Sequence, residues 1–153
     1  MNSFYLSLKS DASRNYYTAN TVSSFKNKLL NNINLEGEWE VALCDLQFFK
    51  HKKIASNRHS FWIYSDIVID TQVGDLSLPL LRRASITNSR KNWLMYEANG
   101  YLYRKLKTNF IESISISIKD SLNHFQDTLH AISTSDTTEE TPTTLTLHFR
   151  KIT

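Results

Sequence analysis

The chain contains few of the residues that crosslink a protein or interrupt its secondary structure. Its 153 residues include one cysteine, Cys44, three glycines and two prolines. A single cysteine excludes a disulfide within the chain and a cysteine-rich metal site, and it is typical of a protein that folds in a reducing compartment. The low glycine and proline content excludes fibrous and linker-like classes.

Long apolar runs and a secretory signal are also missing. The N-terminus, MNSFYLSLKS, has neither a basic first region nor an extended apolar stretch. No segment reaches the roughly 20 apolar residues of a membrane-spanning helix. We therefore expect no export through a signal peptide and no membrane partner.

The positive charge is small and dispersed. The formal net charge is +3 and the isoelectric point about 9.0, with basic residues near 50–53, 82–83, 90–91 and 104–107. A dedicated nucleic-acid-binding protein concentrates such charge on one face or helix. We expect nucleic-acid contact to be incidental at most, with the cluster at 50–53 keeping a loop soluble.

What is present is the composition of a globular protein. Hydrophobic residues make up 41% of the chain and aromatic residues 12%. A chain of this length buries roughly 68–70% of its unfolded surface, enough for one core. We therefore predict a single domain over residues 1–153.

Alternation of apolar and polar residues is the strongest pattern. In residues 111–119, IESISISIK, Ile114, Ile116 and Ile118 alternate with serines, and Leu145, Leu147 and Phe149 repeat the pattern near the C-terminus. Period two with β-branched residues predicts strands that have one buried and one solvated face. Further strands are predicted over residues 4–8, 39–48 (central, since both its faces are apolar), 61–68, 76–86 (with a bend or sheet edge at Pro79) and 101–106.

Two segments are ambiguous. Residues 22–30 place Val22, Phe25 and Leu29 at helical spacing after a capping Thr21, but the same residues fit a strand. The neighbouring strands favour a strand there. Residues 121–130 predict a short helix or turn, and the polar residues after them an exposed loop. About eight short strands in all predict an all-β sandwich or barrel.

Catalytic and metal-binding constellations are not recognisable. Cys44 lies in an alternating strand, away from a helix start that would stabilise a thiolate, so we expect a buried, inert thiol. The histidines, His51, His59, His124, His130 and His148, form no pair with metal-ligand spacing. We predict no catalytic residue, no metal and no cofactor.

Three aspartates, Asp66, Asp70 and Asp75, lie close together along the chain. They suggest either a carboxylate cluster for acid–base or calcium chemistry, or side chains that cap turns by accepting nearby backbone N–H groups. We favour the capping interpretation. Gly74, which precedes Asp75, permits the positive φ that such a turn needs.

Four pieces of sequence occur together: FYLSLKSDAS with NTVSSFKNKL, LEGEWEVALCDLQF, FWIYSDIVIDTQVGDLSLPLLR and LTLHFR. As a set they resemble the minor capsid, or penton, protein of Maverick/Polinton elements and their adintovirus relatives. The most specific residues are Tyr64, Asp66, Ile67, Val68, Val73, Gly74, Asp75, Pro79, Leu80, Leu81 and Arg82, followed by Leu147, His148, Phe149 and Arg150. The family joins its last two strands by a short turn that contains glycine, whereas residues 120–143 are longer and lack glycine.

The resemblance implies a fold and a role. The family's proteins are single jelly-rolls of two packed antiparallel sheets, and they assemble as homopentamers at capsid vertices beside a major capsid protein. For this chain the resemblance implies a structural virion protein without enzymatic activity, made in the cytoplasm or nucleus of the host cell.

Three residues are candidates for subunit contacts. Arg82 and Arg150 each lie at the end of an apolar strand, where an arginine can bind a carboxylate of a neighbouring chain. Trp93 follows residues 90–92 in a polar connection, so we expect partial exposure, as in an interface anchor. Two alternatives remain: a β-sandwich module for carbohydrate or protein, such as a captured host gene, with Tyr101, Tyr103 and Trp93 as a stacking platform, or a small hydrolase built on Cys44.

Overall fold

The computed structural model describes residues 1–49, 60–85, 88–90, 93–120 and 142–153. These residues form β-strands and connections, without a helix. The predicted helix at 121–130, the loop after it, the basic cluster at 50–53 and four of the five histidines, His51, His59, His124 and His130, lie outside the described residues.

Twelve strands follow one another along the described chain. They are β1 (Ser3–Lys9), β2 (Ser24–Asn34), β3 (Trp39–Phe49), β4 (Ser60–Ser65), β5 (Thr71–Val73), β6 (Leu76–Leu78), β7 (Leu80–Ser85), β8 (Asn88–Arg90), β9 (Trp93–Glu97), β10 (Arg104–Lys105), β11 (Phe110–Asp120) and β12 (Thr144–Lys151).

Two antiparallel sheets account for ten of these strands. One has the order β1-β12-β3-β9-β8, with β10 also paired to β3, and the other the order β2-β11-β4-β7. Leaving out the short β8 and β10, each sheet has four main strands, and the chain crosses repeatedly from one sheet to the other. This is the arrangement of a jelly-roll, so the predicted fold class is confirmed.

The core lies between the two sheets. The alternating isoleucines of β11 and the apolar residues of β12 point into one contiguous cluster, in which Ile114, Leu147 and Phe149 are fully buried. β3 lies between β12 and β9, as expected of a strand with two apolar faces. The period-two pattern therefore identified the buried faces correctly.

The structure decides two strand predictions, the ambiguous segment at 22–30 and the segment interrupted by Pro79. Within residues 22–30 the chain forms a strand, β2, which begins at Ser24 and continues to Asn34. Pro79 lies between β6 and β7, and β7 is an edge strand of the four-stranded sheet, in agreement with the bend or edge predicted there.

One strand prediction was wrong, and one strand was not predicted. Within residues 101–106 only β10 is a strand, since Tyr101 and Tyr103 instead lie over the outer face of the larger sheet, against His148. Trp93 does not lie in a polar connection but begins β9. The polar residues before it concealed this strand, although Leu94 and Tyr96 alternate as its buried face.

Candidate subunit interface

An aromatic cluster covers part of the outer face of the six-stranded sheet. It consists of Tyr5, Tyr101, Tyr103 and His148, and we call it the tyrosine–histidine cluster. The rings of Tyr5 and His148 stack at 4.4 Å, and the Tyr103 hydroxyl shares a 2.7 Å hydrogen bond with Nδ1 of His148. Tyr101 lies 5.7 Å from the His148 ring and 6.1 Å from that of Tyr103. Alternation places these residues here, because Tyr5 and His148 pair across β1 and β12 on the face opposite the core.

Arg150 joins this cluster at its edge. Its guanidinium carbon lies 3.5 Å from the centroid of the Tyr103 ring, and its Nε donates to Oε1 of Glu40 on the adjacent strand β3. A cation over an aromatic ring and an ion pair both hold the side chain in place. Arg150 therefore has partners within its own chain, although its side chain remains 48% exposed.

Burial in the cluster favours the uncharged forms of His148 and Tyr103. Burial, and secondarily the charge of Arg150, lowers the pKa of His148 below its usual 6.5. Burial raises the pKa of Tyr103 above its usual 10.0. At neutral pH the contact between these two residues is therefore a hydrogen bond between uncharged groups, and it requires no counter-ion.

Cys44 lies beneath the same cluster in β3. Burial raises the pKa of its thiol, against the opposing effect of a hydrogen bond with Tyr101. A protonated, buried thiol lacks the thiolate character that nucleophilic chemistry requires. The burial expected from the sequence is confirmed, and the absence of reactivity stays a prediction.

The 64–82 segment, which contains most of the residues behind the sequence resemblance, is a small structure on the other sheet. After β4 the chain forms the β5–β6 hairpin, whose two-residue turn begins at Gly74 with φ of 62°. Val73 and Leu80 pack with Tyr64 into a second apolar cluster. Burial in this cluster raises the pKa of the Tyr64 hydroxyl.

The three aspartates of this segment do not converge on one site. Oδ1 of Asp66 accepts the backbone N–H of Ser115 at 2.8 Å, in the middle of β11 and just beyond the residues that pair with β4. Asp66 therefore bonds a neighbouring strand and does not cap its own turn as predicted. Asp70 and Asp75 are exposed. Within the described residues no three His, Cys, Asp or Glu side chains are grouped so as to hold a metal ion.

Comparison with known proteins identifies the architecture. No family model and no curated protein matches the sequence. The structure matches the crystal structure of the mavirus penton protein, with a TM-score of 0.62 and 7% sequence identity, over 98% of this chain and 100% of that chain. The chain has the fold of that penton protein.

On this penton fold the three predicted interface residues occupy two different sheets. Trp93 and Arg150 lie on β9 and β12 of the six-stranded sheet, whereas Arg82 lies on β7, the edge of the four-stranded sheet. Arg82 is not at a strand end as predicted. It is the third residue of β7, half-buried and paired with Ile63 beside a bulge at Leu81.

The predicted stacking platform of Tyr101, Tyr103 and Trp93 is only partly assembled. The two tyrosines are together, but Trp93 pairs with Phe49 at the opposite end of β3 from Glu40, the partner of Arg150. At ~3.4 Å per residue, this separates Trp93 from Arg150 by about 30 Å along the sheet.

Sequence reasoning missed two members of this surface, Tyr5 and Glu40. Tyr5 is 62% exposed and lies on the polar face of an alternating strand. An aromatic residue on the otherwise polar face of a predicted strand is the signal that would have identified it.

No helix in the described part of the chain is long and apolar enough to cross a membrane.

Proposed function

We propose that this chain is a structural virion protein, a penton-type minor capsid subunit that assembles as a homopentamer at capsid vertices. The observation that carries the proposal is the end-to-end fold match to a penton protein, over 98% of this chain and 100% of that chain. Residues 1–153 then form a single jelly-roll domain, with no enzymatic activity and no cofactor.

The placement of the candidate contacts fits a ring. Copies related by a fivefold axis meet through two different patches on each subunit, because such an interface is heterologous. Arg82 lies on the four-stranded sheet, and Trp93 and Arg150 on the six-stranded sheet. We propose that Arg82 of one subunit contacts the face that carries Trp93 and Arg150 on the next.

The remaining partners follow from the same role. A vertex subunit is surrounded by a major capsid protein, which we propose as the second partner. The protein would be made in the host cytoplasm or nucleus and reside in the virion. Contact of basic residues 50–53 with packaged nucleic acid would be incidental.

The mass of the purified protein tests the assembly. Native mass spectrometry and sedimentation should show a species of five times the 17.8 kDa chain mass, and electron-microscopy class averages should show fivefold symmetry. A monomer at every concentration, together with absence of the protein from purified particles, would contradict the proposal.

Substitutions test the interface. Arg82→Glu and Trp93→Ala should each shift the equilibrium from pentamer to monomer, while the thermal unfolding of the monomer shows that it is folded. Lys107→Glu, an exposed lysine outside the proposed patches, is the charge-matched control and should leave the pentamer intact. Equal pentamer content in all three variants would exclude these residues from the contact.

A binding module for carbohydrate or protein remains a second candidate, because Tyr5 and Tyr101 are 62% and 42% exposed on a stacked surface. Exposed aromatic faces stack on apolar faces of ligands. If this candidate is correct, the protein should bind glycans on an array, and Tyr101→Ala should abolish that binding. A pentamer that binds no glycan favours the capsid role.

A further inference from the structure

Strand β1 is an edge of the six-stranded sheet and pairs on one side, with β12. The N–H of Ser10 donates to the carbonyl of Thr143, and the N–H of Lys151 donates to the carbonyl of Asn2. In an antiparallel pair the bonding side alternates along the strand. The even-numbered residues of β1 therefore bond to β12, and the odd-numbered residues direct their N–H and C=O groups away from the sheet.

Lys9 confirms this assignment. Its N–H donates to Oδ1 of Asn27 at 3.0 Å, and its C=O accepts from Nδ2 of the same residue at 2.8 Å. Asn27 thus caps the end of the β1 edge from the opposite sheet. Within the described residues no corresponding bond engages the backbone of Ser3, Tyr5 or Ser7.

At the neighbouring edge strand, β2, outward backbone groups are already hydrogen-bonded. Its outward backbone groups at Ser24 are bonded by Thr21, and those at Lys26 by the side chain of Asn20. The N–H of Lys28 donates to Oγ of Ser13 at 2.9 Å. The segment before β2 therefore occupies that edge with its own polar side chains.

The remaining edges are short or irregular. β7 follows Pro79 and contains a bulge, and β8 has three residues. Bulges, prolines and short strands are the features that prevent pairing with another chain. Among the described strands, β1 is the long, regular edge whose backbone is left open.

The side chains of β1 indicate what would pair there. Phe4 and Leu6 face the core but are only half-buried at the sheet margin, and Tyr5 presents an exposed ring on the other face. A strand added beside β1 would cover Phe4 and Leu6 with its own side chains at alternate positions. Apolar residues at every second position would therefore be favoured.

We propose that β1 is a docking edge for an extended segment of another polypeptide, which adds a strand to the six-stranded sheet along Ser3–Ser7 and carries apolar residues at alternate positions. Backbone groups of Ser3, Tyr5 and Ser7 supply the hydrogen bonds, and Phe4, Leu6 and Tyr5 the side-chain contacts. The open edge itself does not depend on the capsid role, but the preference for another polypeptide over a second copy rests in part on the proposed pentamer.

A second copy of this chain fits the edge less well. Two copies paired through β1 would be related by a twofold axis, which closes at a dimer. A head-to-tail contact would need a different open edge on the neighbouring copy, and on β2 that edge is already bonded by Thr21, Asn20 and Ser13. A different polypeptide with an extended backbone is limited neither by twofold closure nor by the need for a second open edge on this chain.

Amide exchange measured by NMR, with the full chain and a defined peptide, tests the proposal. The probe is acetyl-Lys-Val-Thr-Val-Thr-Val-Thr-Lys-amide, and its control is the same peptide N-methylated at every residue. In the free protein the amides of Ser3, Tyr5 and Ser7 should exchange faster than those of Phe4 and Leu6. The unmodified peptide should slow exchange at Tyr5 and Ser7 by at least about tenfold, and the methylated peptide should not.

A matched pair of variants tests the same edge from the protein side. Ser7→Pro removes one outward donor at a position where edge strands accept proline, and it should weaken peptide binding at least about tenfold. Ser7→Thr keeps the N–H and should bind as the parent does. If Ser7→Pro fails to fold, the methylated peptide decides alone.

Three outcomes would overturn the assignment. One is an absence of protection by the unmodified peptide, and another is equal protection by the methylated one. The third is concentration-dependent protection of Tyr5 and Ser7 in the free protein with a dimeric mass, which would mean that a second copy occupies the edge. The first two results have no bearing on the pentamer, whereas a dimeric mass of the free protein would also count against it.

Discussion

At the scale of single residues, Ile116 shows how directly alternation identifies a buried side chain. It is 1% exposed in the centre of β11. Ile116→Ala should lower the free energy of unfolding by about 2–5 kcal/mol, through lost transfer energy and the cavity left behind. Urea unfolding measures this change.

The neighbouring position provides the control for that substitution. Ser115 lies on the opposite face of β11, and it is the backbone N–H of this residue, not its side chain, that bonds to Asp66. Ser115→Ala should therefore change stability by less than about 0.5 kcal/mol. Equal unfolding midpoints for Ile116→Ala and the parent would show that the buried face is assigned wrongly.

His148 is a residue whose protonation opposes folding. Burial and the Arg150 charge lower its pKa below 6.5 in the folded chain, so the unfolded chain binds the proton more readily. Stability is therefore complete above the unfolded pKa and declines as pH falls through about 6.5. NMR titration should give a pKa below 6.5 for His148, and Arg150→Gln should raise it only in part, because burial is the larger cause.

The pH dependence of the free energy of unfolding provides a second test of the lowered pKa of His148. Between about pH 7.5 and pH 5.5 the parent should lose more stability than His148→Gln, which cannot take up the proton. Parallel curves for the two proteins would mean that His148 titrates as in the unfolded chain.

At the scale of elements, Asn27 connects the two sheets where their edges meet. It is buried in β2, and its amide bonds both backbone groups of Lys9 in β1. Asn27→Ala should cost roughly 1–3 kcal/mol, because it leaves both of these groups without their partner. Chemical denaturation measures the loss.

Asn31 is the matched control for this element. It is exposed in the same strand, so Asn31→Ala should stay within about 0.5 kcal/mol of the parent. If the two alanine variants unfold together, the bridge between β1 and β2 contributes nothing measurable.

The elements also show which predictions a linear pattern supports. β11 and β12 were predictable because one face is apolar throughout, and period two alone assigns their buried side chains. Residues 101–106 show the same alternation, yet Tyr101 and Tyr103 are held by His148 and Cys44 on an outer face. The tyrosines there contact the outer face of the six-stranded sheet, and local sequence does not encode such contacts between distant segments.

At the scale of the whole molecule, the core cluster contains residues from both sheets, among them Leu43 and Leu147 from one and Ile63 and Ile116 from the other. Sheets that share one cluster should unfold in a single cooperative transition. Trp39 in β3 and Trp62 in β4 provide a fluorescent reporter for each sheet.

Two variants isolate these reporters. One keeps only Trp39 (Trp62→Phe with Trp93→Phe), and the other keeps only Trp62 (Trp39→Phe with Trp93→Phe). In each variant the fluorescence transition in urea should coincide with the transition in circular dichroism. A fluorescence transition that precedes the other would show that one sheet unfolds by itself, contrary to the single domain proposed for residues 1–153.

The sequence by itself determined the all-β class, the approximate number of main strands and the inward faces of β1, β11 and β12, because side-chain alternation is a local property of a strand. It also indicated that the thiol of Cys44 is buried, from its place in such a strand. Only the tertiary structure decided which outward residues meet. Tyr5, Tyr103 and His148 come from three distant segments, and the open backbone of β1 exists because pairing with β12 uses only one of its two edges.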